Sequence, residues 1–205
     1  VGIGLSLLVA QDPFVLDSAG TGSITQSIAN SIQVSDINND GVNDIILSGY
    51  DSTRFGVFLD VMLGSSDGSL SQGYQTNFNT YPDTIAEYLG GIGGVDLADV
   101  NRDGWMDLYL TGSALSKLYL NSSGSFNVSS NLPSMSLTYS DGKWGDVNMD
   151  GAPDLFVMGV TSSDQILNEL YINNTTSLDE DLTTIFPSLF NGNSSWGDYD
   201  NDGDP

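Results

Sequence analysis

The sequence predicts an all-β protein made of about four similar units. A short acidic phrase recurs four times along the 205 residues, an apolar run follows each complete copy, and hairpin patterns lie between the copies. The 24 glycines and the many Ser, Asn and Thr residues favour turns and short strands. No segment shows the long 3.6-residue period of an amphipathic helix.

The composition excludes several classes of function. The chain has 27 acidic and 4 basic residues, a formal net charge of -23, and neither His nor Cys. Ser-His and Cys-His catalytic sites, thiolate or imidazole zinc sites and disulfides are therefore excluded. Four basic residues cannot neutralise a row of phosphates, so we expect no nucleic-acid partner. The apolar residues, 39% of the chain, argue against the disorder that such acidity otherwise indicates.

The first element is the apolar stretch Val1–Ala10. It is shorter than the roughly 20 residues that a membrane-spanning helix needs, so we expect no membrane insertion. We interpret it as a buried strand, and the alternative is a signal-peptide core without its basic leader. No initiator Met precedes it, which is typical of a processed chain or of a segment from a longer protein.

The acidic phrase carries the strongest chemical signal. It occupies residues 36–44, 99–107 and 146–154, and a shorter form occupies 198–205. Positions 1, 3, 5 and 9 are Asp or Asn, and position 6 is Gly, which permits a sharp bend. Alternate oxygen-bearing side chains of a tight loop can face one centre. Hard oxygen ligands suit Ca²⁺, whereas Mg²⁺ demands a stricter octahedral shell and keeps its waters.

Electrostatic repulsion favours a bound cation over a bare loop. Two like charges about 4 Å apart repel by roughly 4 kcal/mol at an effective dielectric constant of 20. A divalent cation removes this conflict, and the alternative is that the phrase forms only an Asx-rich turn. An EF-hand is excluded because Leu47, Leu110 and Val157 replace its position-12 Glu and because the flanking patterns are strand-like.

The sequence therefore predicts three to four Ca²⁺ ions. Each ion is bound by the side chains of positions 1, 3, 5 and 9 and by the carbonyl of position 7, and the fourth loop ends before its position 9. The expected ligands are Asp36, Asn38, Asp40, Val42, Asp44, Asp99, Asn101, Asp103, Trp105, Asp107, Asp146, Asn148, Asp150, Ala152, Asp154, Asp198, Asp200, Asp202 and Asp204.

A second phrase, at 118–126 and 170–178, predicts a β-hairpin in each unit. Together with the acidic loop and its apolar run, it makes about four short strands in roughly 50 residues, which is the strand number and repeat length of a propeller blade. We expect a single repeat domain. The expected units are 1–49, 50–112, 113–159 and 160–205, the last incomplete.

Aromatic residues and sequons complete the set of candidates. We interpret Trp144 and Trp196 as packing between units, with sugar stacking as the alternative, and Asp141 as a turn or solvating residue. Two of the five Asn-x-Ser/Thr sequons open the hairpin turns, and we expect these turns to be exposed. The predicted glycosylation sites are Asn121, Asn127, Asn173, Asn174 and Asn193.

The acidic phrase, followed by a short β-run and Gly, resembles the FG-GAP/VCBS repeat, which builds β-propellers such as the head of integrin α-subunits. The runs at 144–146 and 196–198, both Trp-Gly-Asp, are similar to the family's aromatic residue and Gly before the first ligand. The resemblance covers about 14–205. It implies a β-propeller-like array of four-stranded blades, stabilised by calcium, in an extracellular and mostly non-catalytic scaffold. Family propellers usually have seven blades, whereas this chain has material for about four.

Two classes of function follow from these observations. The first is a secreted or cell-surface scaffold or adhesion module that contacts protein or glycan surfaces. The second is a domain, catalytic or not, of a polysaccharide-degrading enzyme. We favour the first and expect no catalytic residues, because the recurring Asp residues are committed to metal geometry and few general bases remain.

The two ends of the sequence suggest strand exchange. The N-terminal apolar strand has no acidic loop before it, and the fourth loop has no apolar strand after it. We expect residues 3–10 to pair as a strand beside the blade that contains 170–172, in the same chain or in a neighbour. The array then closes within the chain, continues as a larger propeller, or is completed by another copy, which would give a homo-oligomer or filament.

Overall fold

The computed structural model describes residues 4–5, 16–17, 27–51, 56–73, 92–112, 116–132, 135–201 and 203. Every regular element in these residues is a β-strand, which confirms the predicted all-β class. Across the same residues there is no helix with the length and apolar character that a membrane span requires.

The strands form one short pair and three four-stranded antiparallel sheets. The short pair is β1 (Gly4–Leu5) with β2 (Leu16–Asp17). Sheet 1 contains β3 (Ser27–Ser35), β4 (Asp44–Asp51), β5 (Gly56–Gly64) and β6 (Leu70–Gln72). Sheet 2 contains β7 (Ile92–Ala98), β8 (Asp107–Gly112), β9 (Lys117–Ser122) and β10 (Ser125–Val128). Sheet 3 contains β11 (Leu137–Gly145), β12 (Asp154–Thr161), β13 (Ile166–Asn173) and β14 (Leu178–Glu180).

The expected N-terminal strand lies mostly outside the described residues. Gly4 and Leu5 pair with Asp17 and Leu16 respectively. The rest of residues 1–10 lies outside the described part of the chain, so the expected pairing beside 170–172 stays a prediction.

The three sheets repeat one construction. In each, strands that follow one another in sequence are also neighbours in the sheet, and the acidic phrase joins the first strand to the second. The first strand carries a register shift at a similar place in every sheet. The residue before each phrase pairs with position 9 of that phrase, in the pairs Ser35–Asp44, Ala98–Asp107 and Gly145–Asp154. The acidic phrase is thus a hairpin loop inside a sheet.

The chain divides into two compact units, Val1–Ala86 with sheet 1 and Glu87–Pro205 with sheets 2 and 3. In the second unit, β11 packs against β7 and β8 of sheet 2. The rings of Tyr109 and Trp144 meet edge to face with centroids 6.0 Å apart, a favourable aromatic geometry. Both side chains belong to the buried cluster that the two sheets share, which confirms that Trp144 is a core residue.

The second face of sheet 3 is covered by a segment that we call the C-terminal strap, residues 186–196. Successive side chains of a strand alternate between faces, so Phe156 and Met158 lie on the face of β12 opposite Leu155 and Val157, which belong to the buried cluster. The strap's Trp196 contacts Phe156 edge to face at 6.3 Å, and its Nε1 donates to the Lys143 carbonyl over 3.1 Å. Trp196 therefore packs against a sheet, as the sequence predicted.

Close packing of the two sheets in the second unit should make Gly142 intolerant of a side chain. A Cβ there would stand 2.5 Å from Cε1 and 3.0 Å from Cδ1 of the fully buried Tyr109. We expect Gly142→Ala to lower the free energy of unfolding by about 1–3 kcal/mol, measured by urea denaturation. The matched control is Gly197→Ala, whose Cβ would meet no atom within 4 Å. Equal stabilities of the two variants would contradict this packing.

Candidate functional site

The three complete acidic loops share one backbone conformation. Position 4 has a positive φ although it is never Gly, and the Gly at position 6 has a φ of 83° to 87°. A side chain at this φ is strained, which explains the recurring Gly. The position-4 residues are Asn39 (55°), Arg102 (59°) and Met149 (57°), and the glycines are Gly41, Gly104 and Gly151.

Side chains at positions 1, 3 and 5 curl around the loop backbone. In the first loop, Asp36 accepts hydrogen bonds from the N–H groups of Asp40 (3.1 Å) and Gly41 (2.8 Å). Asn38 Oδ1 accepts from the same Asp40 N–H (3.0 Å), and Asp40 Oδ1 accepts from Val42 N–H (2.9 Å). The other two complete loops repeat this pattern. Oxygens of positions 1 and 3 thus lie within hydrogen-bond distance of one nitrogen.

Position 9 has a structural role that the sequence analysis missed. Asp44, Asp107 and Asp154 have no exposed surface. One carboxylate oxygen of each accepts the N–H of position 2 of its own loop, over 3.0 Å. The other oxygen accepts an N–H from the end of the third strand, at Gly64, Asn121 or Asn173, over 2.7 to 2.8 Å. This carboxylate therefore fastens the acidic loop to the neighbouring hairpin.

Burial and neighbouring charges disfavour the ionised form of these position-9 carboxylates. Desolvation raises the pKa of Asp44 and Asp154, and it raises the pKa of Asp107 to about 6. The two backbone hydrogen bonds that each carboxylate accepts offset part of this rise in pKa. The carboxylates at positions 1 and 5 of the same loop raise it further by repulsion. The loop charges thus act directly on a buried group of the sheet.

The oxygen atoms that the loop side chains offer are of the kind that bind a hard divalent cation. Among the described residues, no three acidic side chains already form a metal-binding cluster, because their oxygens are turned onto backbone N–H groups. A carboxylate oxygen that accepts one hydrogen bond keeps a second lone pair, so these bonds leave capacity for a cation. Positions 1, 3 and 5 would hold Ca²⁺, and the ion would supply positive charge beside the buried carboxylate. Ligation by the carbonyl of position 7 and by the side chain of position 9 stays a prediction.

In the fourth loop the first Asp again accepts two backbone N–H groups of the loop, here from positions 4 and 6. Asp198 accepts the N–H groups of Asn201 (2.5 Å) and Gly203 (2.9 Å). These two residues also have positive φ values, 66° and 105°. The expected ligands Asp202 and Asp204 lie outside the described residues.

Asn121 and Asn173 are buried, so the expectation that they are exposed is wrong. Each side-chain amide donates to the carbonyl of position 8 of its loop, Asn121 to Met106 (3.1 Å) and Asn173 to Pro153 (3.0 Å). A glycan cannot be attached to an amide nitrogen that is buried in this way in the folded chain. The other three sequons, Asn127, Asn174 and Asn193, are exposed, and their glycosylation stays a prediction.

The second and third acidic loops are neighbours in the second unit. Arg102 of the second loop donates to the Asp150 carbonyl (2.8 Å) and lies 3.1 Å from an Asp150 carboxylate oxygen. The Asn173 amide also donates to the carbonyl of Val100, in the second loop, over 2.8 Å. The Asn173 side chain therefore links its own hairpin both to the third loop and to the second loop, which belongs to sheet 2.

Asp141 and Asp96 are further buried or half-buried acids that link elements. Asp141 is only 5% exposed and accepts both the N–H (2.6 Å) and the hydroxyl (2.8 Å) of Ser194, so its interpretation as a solvating residue is wrong. Asp96 of β7 accepts the Trp144 N–H over 2.8 Å and pairs with Lys143 at 3.5 Å. These acids join the strap to sheet 3 and sheet 3 to sheet 2.

Comparison with known proteins adds one family match. Residues 36–110 and 99–157 match a family model described as an FG-GAP-like repeat. The two matches begin at the first Asp of an acidic phrase and together cover 36–157, more than half of the chain. No curated protein matches the chain at a significant level. The family match confirms the resemblance that the acidic phrases indicated.

The buried amide of Asn173 should contribute to stability. Asn173→Ala removes the donor from the carbonyls of Val100 and Pro153, and leaving buried polar groups unsatisfied costs about 1–3 kcal/mol. We expect a loss of this size in urea denaturation. The control, Asn127→Ala, changes an exposed sequon and should stay within about 0.5 kcal/mol of the parent. A parent-like Asn173→Ala would show that these hydrogen bonds contribute little.

Without calcium, the chain should become more stable on mild acidification. The raised pKa values mean that the folded state binds protons at a higher pH than the unfolded state, whose carboxyl pKa is near 3.8. Stability is therefore gained as the pH falls through the folded pKa values and lost as it rises. We expect the melting temperature in excess chelator to rise from about pH 7.5 to pH 5.5.

The two acids whose pKa is lowered do not change the expected melting temperature between about pH 7.5 and pH 5.5. Hydrogen bonds from Ser69 lower the pKa of Asp67, and those from Thr183 and Thr184 lower that of Asp181 to about 2. Both groups stay ionised above pH 5, so they do not make the stability depend on pH there. A melting temperature that falls steadily with acid in chelator would contradict the assigned burial of position 9.

Proposed function

The chain belongs to the FG-GAP-like repeat family, and from this premise we propose that it is a calcium-stabilised, β-propeller-like module that binds other molecules. Proteins of this repeat family generally serve as non-catalytic binding or scaffold modules. The observation that carries the proposal is the threefold recurrence of one loop, with the same positive φ values and the same hydrogen bonds at positions 1, 3, 5 and 9.

Calcium is the cation that we propose for these loops. The donors are carboxylate and amide oxygens, the ligands that Ca²⁺ prefers, and the chain contains no His or Cys that would select a softer metal. Each loop places a half-buried carboxylate at position 1 and an exposed one at position 5 beside the buried carboxylate at position 9. A divalent ion at positions 1, 3 and 5 would offset the repulsion that raises the pKa of position 9.

The propeller-like arrangement is also part of the proposal. Each sheet has four antiparallel strands and carries its acidic loop between the first and second strands, as a blade of a repeat protein does. In the second unit, the first strand of sheet 3 packs on sheet 2, and the strap packs in turn on sheet 3. We propose that further blades complete the array, in the same chain or from another copy, and that a filament is one outcome.

We place the module outside the cell, where it would contact protein or glycan surfaces. Extracellular Ca²⁺ modules work with dissociation constants of about 10⁻⁴ to 10⁻³ M, a range suited to exposed loops such as these. The three exposed sequons fit the same setting. We propose no catalytic role, because the recurring Asp residues hold backbone N–H groups in the loops.

Calcium should raise the melting temperature, and neutralising one loop should remove part of that rise. A ligand that binds only the folded state adds about 2.7 kcal/mol per site at a concentration of 100 Kd. We expect Asp40→Asn and Asp103→Asn each to reduce the shift between excess chelator and millimolar Ca²⁺. Both substitutions keep an oxygen that can accept the position-7 N–H while removing one charge.

The matched control is Asp164→Asn, which removes an exposed charge outside the loops at a φ of 59° that Asn tolerates. This variant should keep the parent's full rise in melting temperature with Ca²⁺. In the parent and in every variant, Mg²⁺ should raise the melting temperature less than Ca²⁺ does. An unchanged melting curve in excess chelator would contradict calcium stabilisation. A loop variant that keeps the parent's full shift would remove that loop from the proposed sites.

A further inference from the structure

The three complete acidic loops carry the same donor side chains. Positions 1, 5 and 9 are Asp and position 3 is Asn in each of them, and the hydrogen bonds of position 1 to the loop backbone also repeat. A difference in calcium affinity between the loops must therefore come from other residues. Within the loops, charge differs only at position 4, which is Asn39, Arg102 and Met149 in the three copies.

Arg102 reaches from the second loop to the third. Its Nη2 donates to the Asp150 carbonyl over 2.8 Å and lies 3.1 Å from Asp150 Oδ1. Asp150 is position 5 of the third loop and one of its expected ligands. A Cβ on Gly151 would lie 3.5 Å from the same Nη2, so the guanidinium lies against the bend of the third loop. The second loop thus places a positive charge among the expected ligands of the third.

Arg102 also occupies acceptor capacity that a cation would use. Asp150 Oδ1 accepts the N–H of Ala152 over 2.7 Å, so together with Arg102 it has two donors for its two lone pairs. The equivalent carboxylates, Asp40 and Asp103, accept the position-7 N–H and the neutral position-3 amide of their own loops. Calcium in the third loop must therefore displace Arg102 from Oδ1 or bind beside its positive charge.

The exposure of the pair sets the size of this effect. The side chains of Arg102 and Asp150 each keep 43% of their surface accessible to solvent. Exposed ion pairs are weak and are screened by salt, so we expect a change of about threefold in calcium affinity and not a loss of binding.

We propose that Arg102 of the second loop regulates the calcium site of the third loop, by holding Asp150 Oδ1 in the calcium-free chain and so lowering the affinity of that site. The third loop then needs a higher Ca²⁺ concentration than its own donors would require. This inference rests on the calcium binding proposed above and adds a control of one loop by its neighbour.

The test uses Arg102→Asn, which gives the second loop the position-4 residue of the first. Asn39 has a φ of 55°, close to the 59° of Arg102, so the loop can keep its shape. Ca²⁺ is added to the full ¹⁵N-labelled chain at low ionic strength, and the N–H resonances of Gly41 and Gly151 are followed. Each N–H donates to the position-1 carboxylate of its loop and reports on that loop. We expect the dissociation constant at Gly151, relative to that at Gly41, to fall about threefold.

Two control variants separate the charge from the contact. Arg102→Lys keeps the positive charge and should stay closer to the parent than Arg102→Asn does. Lys117→Gln removes the same charge from β9, outside the acidic loops, and should leave the ratio of the two dissociation constants unchanged. Added salt should reduce the effect of Arg102→Asn, because the charges are exposed.

A second measurement tests whether the effect passes through Asp150. Millimolar Ca²⁺ should raise the melting temperature of Arg102→Asn more than that of the parent, because binding to the folded state is tighter. In the background of Asp150→Asn the same substitution should not increase this rise, since no carboxylate is left at position 5 for Arg102 to hold.

The outcomes distinguish this inference from the proposed calcium binding. If neither Gly41 nor Gly151 responds to Ca²⁺, the calcium binding itself is wrong, and this inference with it. If both respond but Arg102→Asn leaves the affinity at Gly151 unchanged or weakens it, as a merely structural link between the loops would, only the role of Arg102 is overturned. An equal gain in the Asp150→Asn background would also overturn that role.

Discussion

The buried carboxylate at position 9 is the interaction on which the repeated structure depends. In each sheet, one Asp without exposed surface holds two backbone N–H groups, one from its own loop and one from the end of the third strand. The same residue begins the second strand and pairs with the residue before the loop. Because one side chain joins loop, second strand and hairpin, these three segments adopt their positions together.

This interaction has an electrostatic cost that the loop itself increases. Burial disfavours the charged carboxylate, and the carboxylates at positions 1 and 5 add repulsion. Backbone hydrogen bonds to the anion offset part of that cost, and a cation held by the loop would offset more. The acidic loops are therefore coupled to the sheets through charge, so the proposed Ca²⁺ would stabilise the sheets as well as the loops.

Contacts between neighbouring repeats depend on side chains of the hairpins, the acidic loops and the first strand of each sheet. Asn173 bonds to its own loop and to Val100 of the preceding loop, and Asp96 of β7 accepts the N–H of Trp144 in β11. Glycines allow the large rings to approach: Gly142 lies against Tyr109, and Gly145 lies against Trp196. The strap repeats the first-strand packing on the far face of sheet 3, but with aromatic walls that leave a cavity.

The all-β class, the family, the acidic loops and the core role of Trp144 could be predicted from the sequence, because each depends on local period, spacing or residue type. The burial of Asn121 and Asn173, the bonds of Asp141 to the strap and the unpaired acceptor of Asn168 could be found only in the folded structure. These roles are set by partners that are distant in sequence: Asp141 meets Ser194, and Asn173 meets Val100. An Asn in a turn has the same local signature whether its amide faces solvent or a neighbouring sheet, so only the packing of sheets could distinguish the two.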